Sequence, residues 1–243
     1  MSAALGFRAG RGGAVVVGVA LEGSGPRLVL SSVLATAAEG DRLAMEPYRV
    51  AAELARGAAG EVPAEAAAAV AEGRRRQAAL AKQGLDRIVA TLAEAGRAPA
   101  VAALLVNRAG WIGDLLAYSL FAPEHPAVAE GLAVRDALRA AFAARGLDAV
   151  EMDEKSLTEA ASIKLGLSPA EIDAHLKAMG VAAGRPWRKD QKQACLAAWV
   201  AARGGQSLPG PSGPLDPDKK ALSSKVESPS GRVNRSPLHP DGL

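Results

Sequence analysis

Residues 14–34, Ala-Val-Val-Val-Gly-Val-Ala-Leu-Glu-Gly-Ser-Gly-Pro-Arg-Leu-Val-Leu-Ser-Ser-Val-Leu, are two apolar runs joined by a Gly/Pro turn. Valine- and leucine-rich segments of strand length on either side of such a turn predict a β-hairpin. No acidic residue interrupts the first run before Glu22. The preceding residues, 1–13, carry Arg8 and Arg11 but no long apolar stretch ahead of a small-residue cleavage site. They read as a flexible N-terminus without an export signal.

Beyond the hairpin the pattern turns to alternating helices and strands. Residues 35–60 are poorly periodic, with room for a short third strand and a short helix that starts at Pro47 and runs through Leu54. From Pro63 to Ala95 the apolar residues Val70, Leu80, Leu85, Ile88, Val89 and Leu92 recur at mostly helical spacing, and Gly73 and Gly84 are places where that helix can bend or break. Ala100-Val-Ala-Ala-Leu-Leu-Val106 is continuously apolar over strand length, the signature of a central parallel strand covered on both faces. It ends in Asn107-Arg108-Ala109-Gly110-Trp111, polar and aromatic groups at the strand end where open α/β sheets place ligands.

A helix over 126–145 stops at Gly146, and residues 147–152 form the next strand. Ser156-x-x-Glu159, closed by Gly166, and Ser168-Pro169-x-Glu171, closed by Gly180, predict two capped helices in a hairpin. Residues 189–202 give a last helix whose stripe of Cys195, Leu196, Trp199 and Val200 packs on the sheet. From Gly204 onward Pro, Gly and Ser dominate, and such a segment buries too little to offset its ordering entropy, so residues 204–243 read as a disordered tail. The expectation is an α/β domain over 14–203, a mixed sheet opened by a β-hairpin with helices on both faces.

Composition narrows the function. With 49% apolar residues in 243, the chain can bury one sizeable core, and no run of about 18 strongly apolar residues predicts a membrane span. One cysteine, Cys195, excludes an internal disulfide and a cysteine-cluster metal site, which fits a reducing, cytoplasmic setting. The formal charge of +3 gives a mild preference for polyanions.

The order of elements, with Val17-Gly18-Val19-Ala20 leading into the hairpin, resembles the RuvC-type branch of the ribonuclease H-like superfamily over residues 14–202. That resemblance implies a nuclease fold whose carboxylates hold two divalent cations about 4 Å apart, positioning the attacking water and stabilising the leaving oxygen. Its motifs are degenerate here. The Asp of the usual Gly-x-Asp pattern on the first strand falls on Ala20, the acidic residue after the long helix and its following strand is replaced by Asn107 and Arg108, and the Asp-x-x-Asp of the final helix becomes Asp190-Gln191-Lys192-Gln193.

The resemblance therefore implies a catalytically inactive domain that binds a nucleic acid or a protein partner, with no cofactor and an oligomeric state left open. The binding residues expected are Asn107, Arg108 and Trp111 at the sheet edge, with Trp187, Arg188, Lys189 and Lys192 at the start of the last helix. An indole among cations suits stacking and phosphate contact, although Trp187 also reads as a staple that fixes the loop to the core. The alternative is a magnesium-dependent nuclease whose carboxylates are relocated to Glu22, Asp114, Glu151, Asp153 and Asp190. Arg74-Arg75-Arg76 spans most of a helical turn and reads as a solvated face, His125 beside Glu124 as a cap or surface group, and Cys195 as core.

Overall fold

Period-two alternation begins earlier than residue 14. A computed structural model describes residues 2–23, 25–56, 62–107 and 112–204. In it Ala3–Gly10 is a strand, β1, that places Leu5 and Phe7 on one face and Ala4, Gly6 and Arg8 on the other. Leu5 and Phe7 are fully buried, and burying such side chains contributes on the order of 2–3 kcal/mol each, enough to order a segment whose glycines disfavour a strand. The N-terminal residues 3–10 are thus the centre of the sheet, and the expectation of a flexible segment over 1–13 is corrected accordingly. Gly12, at φ +76°, makes the left-handed turn into β2 (Gly13–Glu22), which pairs antiparallel with β1 from Gly10↔Gly13 to Ala3↔Ala20.

The hairpin predicted from residues 14–34 is β2 with β3 (Gly25–Ala35), again antiparallel. Among the described residues of 36–60 no further strand follows it. Short helices α1 (Arg42–Met45) and α2 (Pro47–Leu54) lead instead to α3 (Ala64–Glu94), which runs unbroken through Gly73 and Gly84. A Cβ on Gly73 would lie 2.6 Å from that of Pro47, and one on Gly84 would lie 2.8 Å from Cγ of Leu34, so both glycines mark close packing rather than bends.

The buried strand β4 (Pro99–Val106) follows, then α4 (Leu115–Phe121), α5 (His125–Arg145) and β5 (Asp148–Asp153). Gly146 closes α5 in the left-handed conformation, φ +65°, as its position predicts. The chain ends its described part in α6 (Leu157–Leu165), α7 (Pro169–Ala183) and α8 (Lys189–Gly204). Ser168 and Glu171 form the expected reciprocal capping box, whereas the Ser156 side chain makes no cap bond and Gly180 lies inside α7, which continues to Ala183. The tail predicted over 204–243 lies outside the described residues beyond Gly204.

The strand order is β3-β2-β1-β4-β5, with β1, β4 and β5 mutually parallel. One face, built on Ala4, Val17, Val19, Ala103 and Leu105, packs against α6, α7 and α8; the other, built on Leu5, Phe7, Val16, Ala102 and Leu104, packs against α3 and α5. Helices cover both faces, and the carboxyl ends of three parallel strands open on one edge. No helix among the described residues is long and apolar enough to cross a membrane.

Candidate nucleic-acid interface at the carboxyl edge

Because β1, β4 and β5 run in one direction, their last side chains converge: Arg8 from β1, Asn107 just past β4, and Asp153 and Glu154 at the end of β5. The backbone N–H of Glu154 donates to the carbonyl of Val106 at 2.9 Å and extends that pairing by one residue. The first turn of α8 lies beside them on the same face as Arg8.

Arg8 is the hub. Its Nη2 lies 3.0 Å from Oε1 of Glu154, its Nη1 3.2 Å from Oδ1 of Asp190, and its Nε donates to Oε1 of Gln193 at 2.9 Å. The Arg8 and Glu154 side chains are only a quarter and a fifth exposed, so these charge-assisted bonds are shielded from water on most sides. Asp190 and Gln193, three residues apart on one helix face, thus reach the same guanidinium.

This geometry corrects the register of the sequence reading. With β1 as the first strand, Gly6-Phe7-Arg8 is the segment with Gly-x-Asp spacing, and Arg8 takes the place assigned to Ala20. Ala20 is buried, pairs with Ala3 and sits about 17 Å away along the sheet, five residues at a strand's rise. Sequence reasoning missed Arg8, the residue that Glu154, Asp190 and Gln193 all reach; the alternation of Leu5 and Phe7 with small residues was the available signal.

A two-cation cradle does not fit these residues. At the hub the negative groups are Glu154 and Asp190, and a fixed positive group lies between them. The relocated carboxylates do not converge either. Glu22 is at the opposite edge, held by Arg27 at 2.8 Å and Arg97 at 2.6 Å, and these hydrogen bonds keep its carboxyl below the usual range. Asp114 caps α4 by accepting from the N–H groups of Leu116 and Ala117. Glu151 meets Arg139 at 2.6 Å, and Asp153 accepts from the backbone of Lys155 and Ser156. Among the described residues no three His, Cys, Asp or Glu side chains gather as a metal site.

The predicted binding residues divide into three groups. Asn107 is at the sheet edge, where its Oδ1 accepts from Nη1 of Arg135 at 3.0 Å. Arg108 and Trp111 lie outside the described residues. Trp187 is a staple: its Nε1 donates to the carbonyl of Leu176 at 3.0 Å and its ring fills the space a Cβ on Gly180 would take. Arg188 caps α8 through its backbone N–H, which donates to Gln191 Oε1, and leaves its side chain exposed. Lys192 lies 3.7 Å from Asp173. Among the described residues the exposed cations of Arg185, Arg188 and Lys189 have no carboxylate partner; Arg185 and Arg188 line one cavity with Trp187, and Lys189 lines a second with Trp187 and Arg188.

The remaining candidates are structural. Arg74 pairs with Asp136, while Arg75 and Arg76 pair with Glu72, and that double contact lowers the Glu72 carboxyl to about 2. The His125 ring stacks on Tyr118 at 3.9 Å with Nδ1 2.8 Å from the Tyr118 carbonyl.

No protein-family model and no curated protein matches the chain. Solved structures are similar to it, two of RuvC among them. RuvC from T. thermophilus in complex with a Holliday junction substrate is 12% identical over 84% of this chain and 94% of that one, with a TM-score of 0.49. The Thermus thermophilus RuvC structure is 13% identical over 83% and 93%, with a TM-score of 0.46. By the order and direction of the five strands among its described residues, hairpin first and parallel crossovers after it, this chain has the mixed α/β, ribonuclease H-like fold that its sequence resemblance implies.

Proposed function

We propose that this chain is a ribonuclease H-like domain that binds nucleic acid in the cytoplasm and does not cut it. The observation that carries the reading is the Arg8 guanidinium held among Glu154, Asp190 and Gln193 at the carboxyl edge. A divalent cation entering there would meet a fixed positive charge and would have to displace charge-assisted bonds already made. Without paired cations, an attacking water has nothing to activate it and the leaving oxygen nothing to stabilise it.

Binding is a separate matter. Arg185, Arg188 and Lys189 present cations beside this edge that no carboxylate among the described residues pairs, and exposed cations on one surface suit a phosphate backbone, whose neutralisation releases counterions. The test is fluorescence anisotropy of the full chain with single- and double-stranded DNA and RNA from about 50 to 200 mM salt. A log-log slope of roughly −0.7 to −0.9 per phosphate contacted is expected, reduced by about 2–3 units when Arg185, Arg188 and Lys189 are all changed to Gln. Salt-independent or absent binding removes the nucleic-acid reading and leaves a protein partner. Magnesium-stimulated cleavage by the pure protein removes the non-cleaving part and restores the nuclease alternative.

A further inference from the structure

A buried charge of a different kind lies outside that surface. Arg135 on α5 is 94% buried, at 6% relative exposure, yet the partners it bonds are neutral: Nε donates to the carbonyl of Leu105 at 3.3 Å and Nη1 to Oδ1 of Asn107 at 3.0 Å. Among the described residues no carboxylate forms an ion pair with it. The carboxylates nearby are engaged elsewhere: Asp136 by Arg74 and Arg139, Glu151 by Arg139, Asp114 by the first N–H groups of α4, and Glu154 by Arg8. A buried cation satisfied by neutral acceptors alone is costly, and such a cost persists where a ligand supplies the missing charge.

Arg135 lines a cleft of about 650 Å³ between the end of β4 and helices α3, α4 and α5. The same cleft is lined by Val70, Leu115, Leu132 and Tyr48, and by Arg74 and Arg139 with the carboxylates of Asp136 and Glu151 that they pair. That volume is in the range of small-ligand sites, and a cation without an ion pair beside apolar side chains matches a molecule carrying an anionic group on an uncharged body. A guanidinium presents paired donors that suit phosphate oxygens, and among the described residues the bonds of Arg135 are made by Nε and Nη1, not by Nη2.

We infer that this cleft is a binding site for a phosphomonoester of nucleotide size, its phosphoryl group seated on Arg135. The phosphomonoester can be a free mononucleotide or the phosphorylated end of a strand; both bring the same chemistry to Arg135. The site is separate from the Arg185–Lys189 surface, and the two are measured separately.

Titration calorimetry of the full chain with adenosine 5′-monophosphate and with adenosine tests it, with the variants Asn107→Asp and Arg135→Lys. Asn107→Asp is the decisive variant. It changes one exposed side chain by a single group, gives Arg135 a carboxylate in place of an amide oxygen, and so neutralises the cation without emptying its pocket. The monophosphate is expected to bind at least about tenfold more tightly than adenosine, a preference that Asn107→Asp abolishes and Arg135→Lys weakens. Competition by a 5′-phosphorylated oligonucleotide, and not by its 5′-hydroxyl counterpart, assigns the strand end as source; competition by neither assigns the free nucleotide. Equal affinity for monophosphate and nucleoside, no binding of the monophosphate, or binding unchanged in a folded Asn107→Asp protein overturns the proposal.

Discussion

Arg8 on β1 and Glu154 just past β5 meet at 3.0 Å across the carboxyl edge, although 146 residues of sequence separate them. The pair joins the central strand to the edge strand, and the bonds from Arg8 to Asp190 and Gln193 add the start of α8. Arg8→Met is expected to lower stability by about 1–3 kcal/mol, because it strands two partly shielded carboxylates beside each other without a counterion. Arg8→Lys should recover only part of that loss, since one ammonium cannot reach three acceptors as the guanidinium does. Urea denaturation of both variants measures the difference; a neutral Arg8→Met would mean that the hub adds nothing to the fold.

The same strand carries a close approach of helix and sheet. A Cβ on Gly6 would overlap the carbonyl oxygen of Ala194 and lie 2.8 Å from the backbone nitrogen of Ala198, so α8 rests directly on β1 there. Backbone atoms cannot move aside as a side chain can. Gly6→Ala is expected to cost about 3 kcal/mol through displacement of α8, whereas Gly10→Ala, with nothing within 4 Å, should cost little. Thermal melts of the pair separate a steric cause from a general intolerance of changes in β1.

Much of the architecture was legible in residue pattern because its segments are long and one-sided. The 31 residues of α3, the apolar run that became β4 and the Gly146 stop after α5 each carry a periodic or punctuating signal that tertiary contacts then reinforce. The first strand was not legible, since Gly6, Arg8 and Gly10 dilute its alternation, and its order comes from long-range burial of Leu5 and Phe7. That one omission moved the expected site to Ala20 and hid Arg8. Asp190 was legible from its spacing on the last helix, but its partner was not, because no local pattern links it to a residue near the start of the chain. Arg135 was invisible for a similar reason: the spacing within α5 says nothing about a carbonyl on β4.

Glu130 on α5 offers a test of charge burial. Its side chain is fully buried, Oε1 accepts the Arg49 N–H at 3.2 Å, and Oε2 has no partner among the described residues. Burial pushes its carboxyl pKa up, so the folded protein holds that proton more tightly than the unfolded chain does. Stability linked to this group is therefore full below the unfolded value and is lost as pH rises through the folded value. Glu130→Gln should raise stability by about 1 kcal/mol at neutral pH, and the advantage should vanish in acid, where Glu130 is itself uncharged. A pH series of chemical denaturation reads both; an advantage that persists in acid would point to packing instead of charge.

Cys195 gives the complementary alkaline case. It is fully buried in α8, 3.7 Å from the sulfur of Met179, and burial pushes its thiol up to about 12. Because the reactive species is the thiolate, a disulfide-exchange reagent should leave the native protein unmodified and label it only as fast as the region around α8 opens. The unfolded chain releases this proton near the ordinary thiol value and the native state does not, so the linked stability declines as pH rises from that value towards 12. Cys195→Ala removes the linkage, and its stability should depend less on pH across that window than the parent's does. Labelling of the native protein faster than amide exchange in α8 would show that the thiol is reached without opening, and would contradict its burial against the sheet.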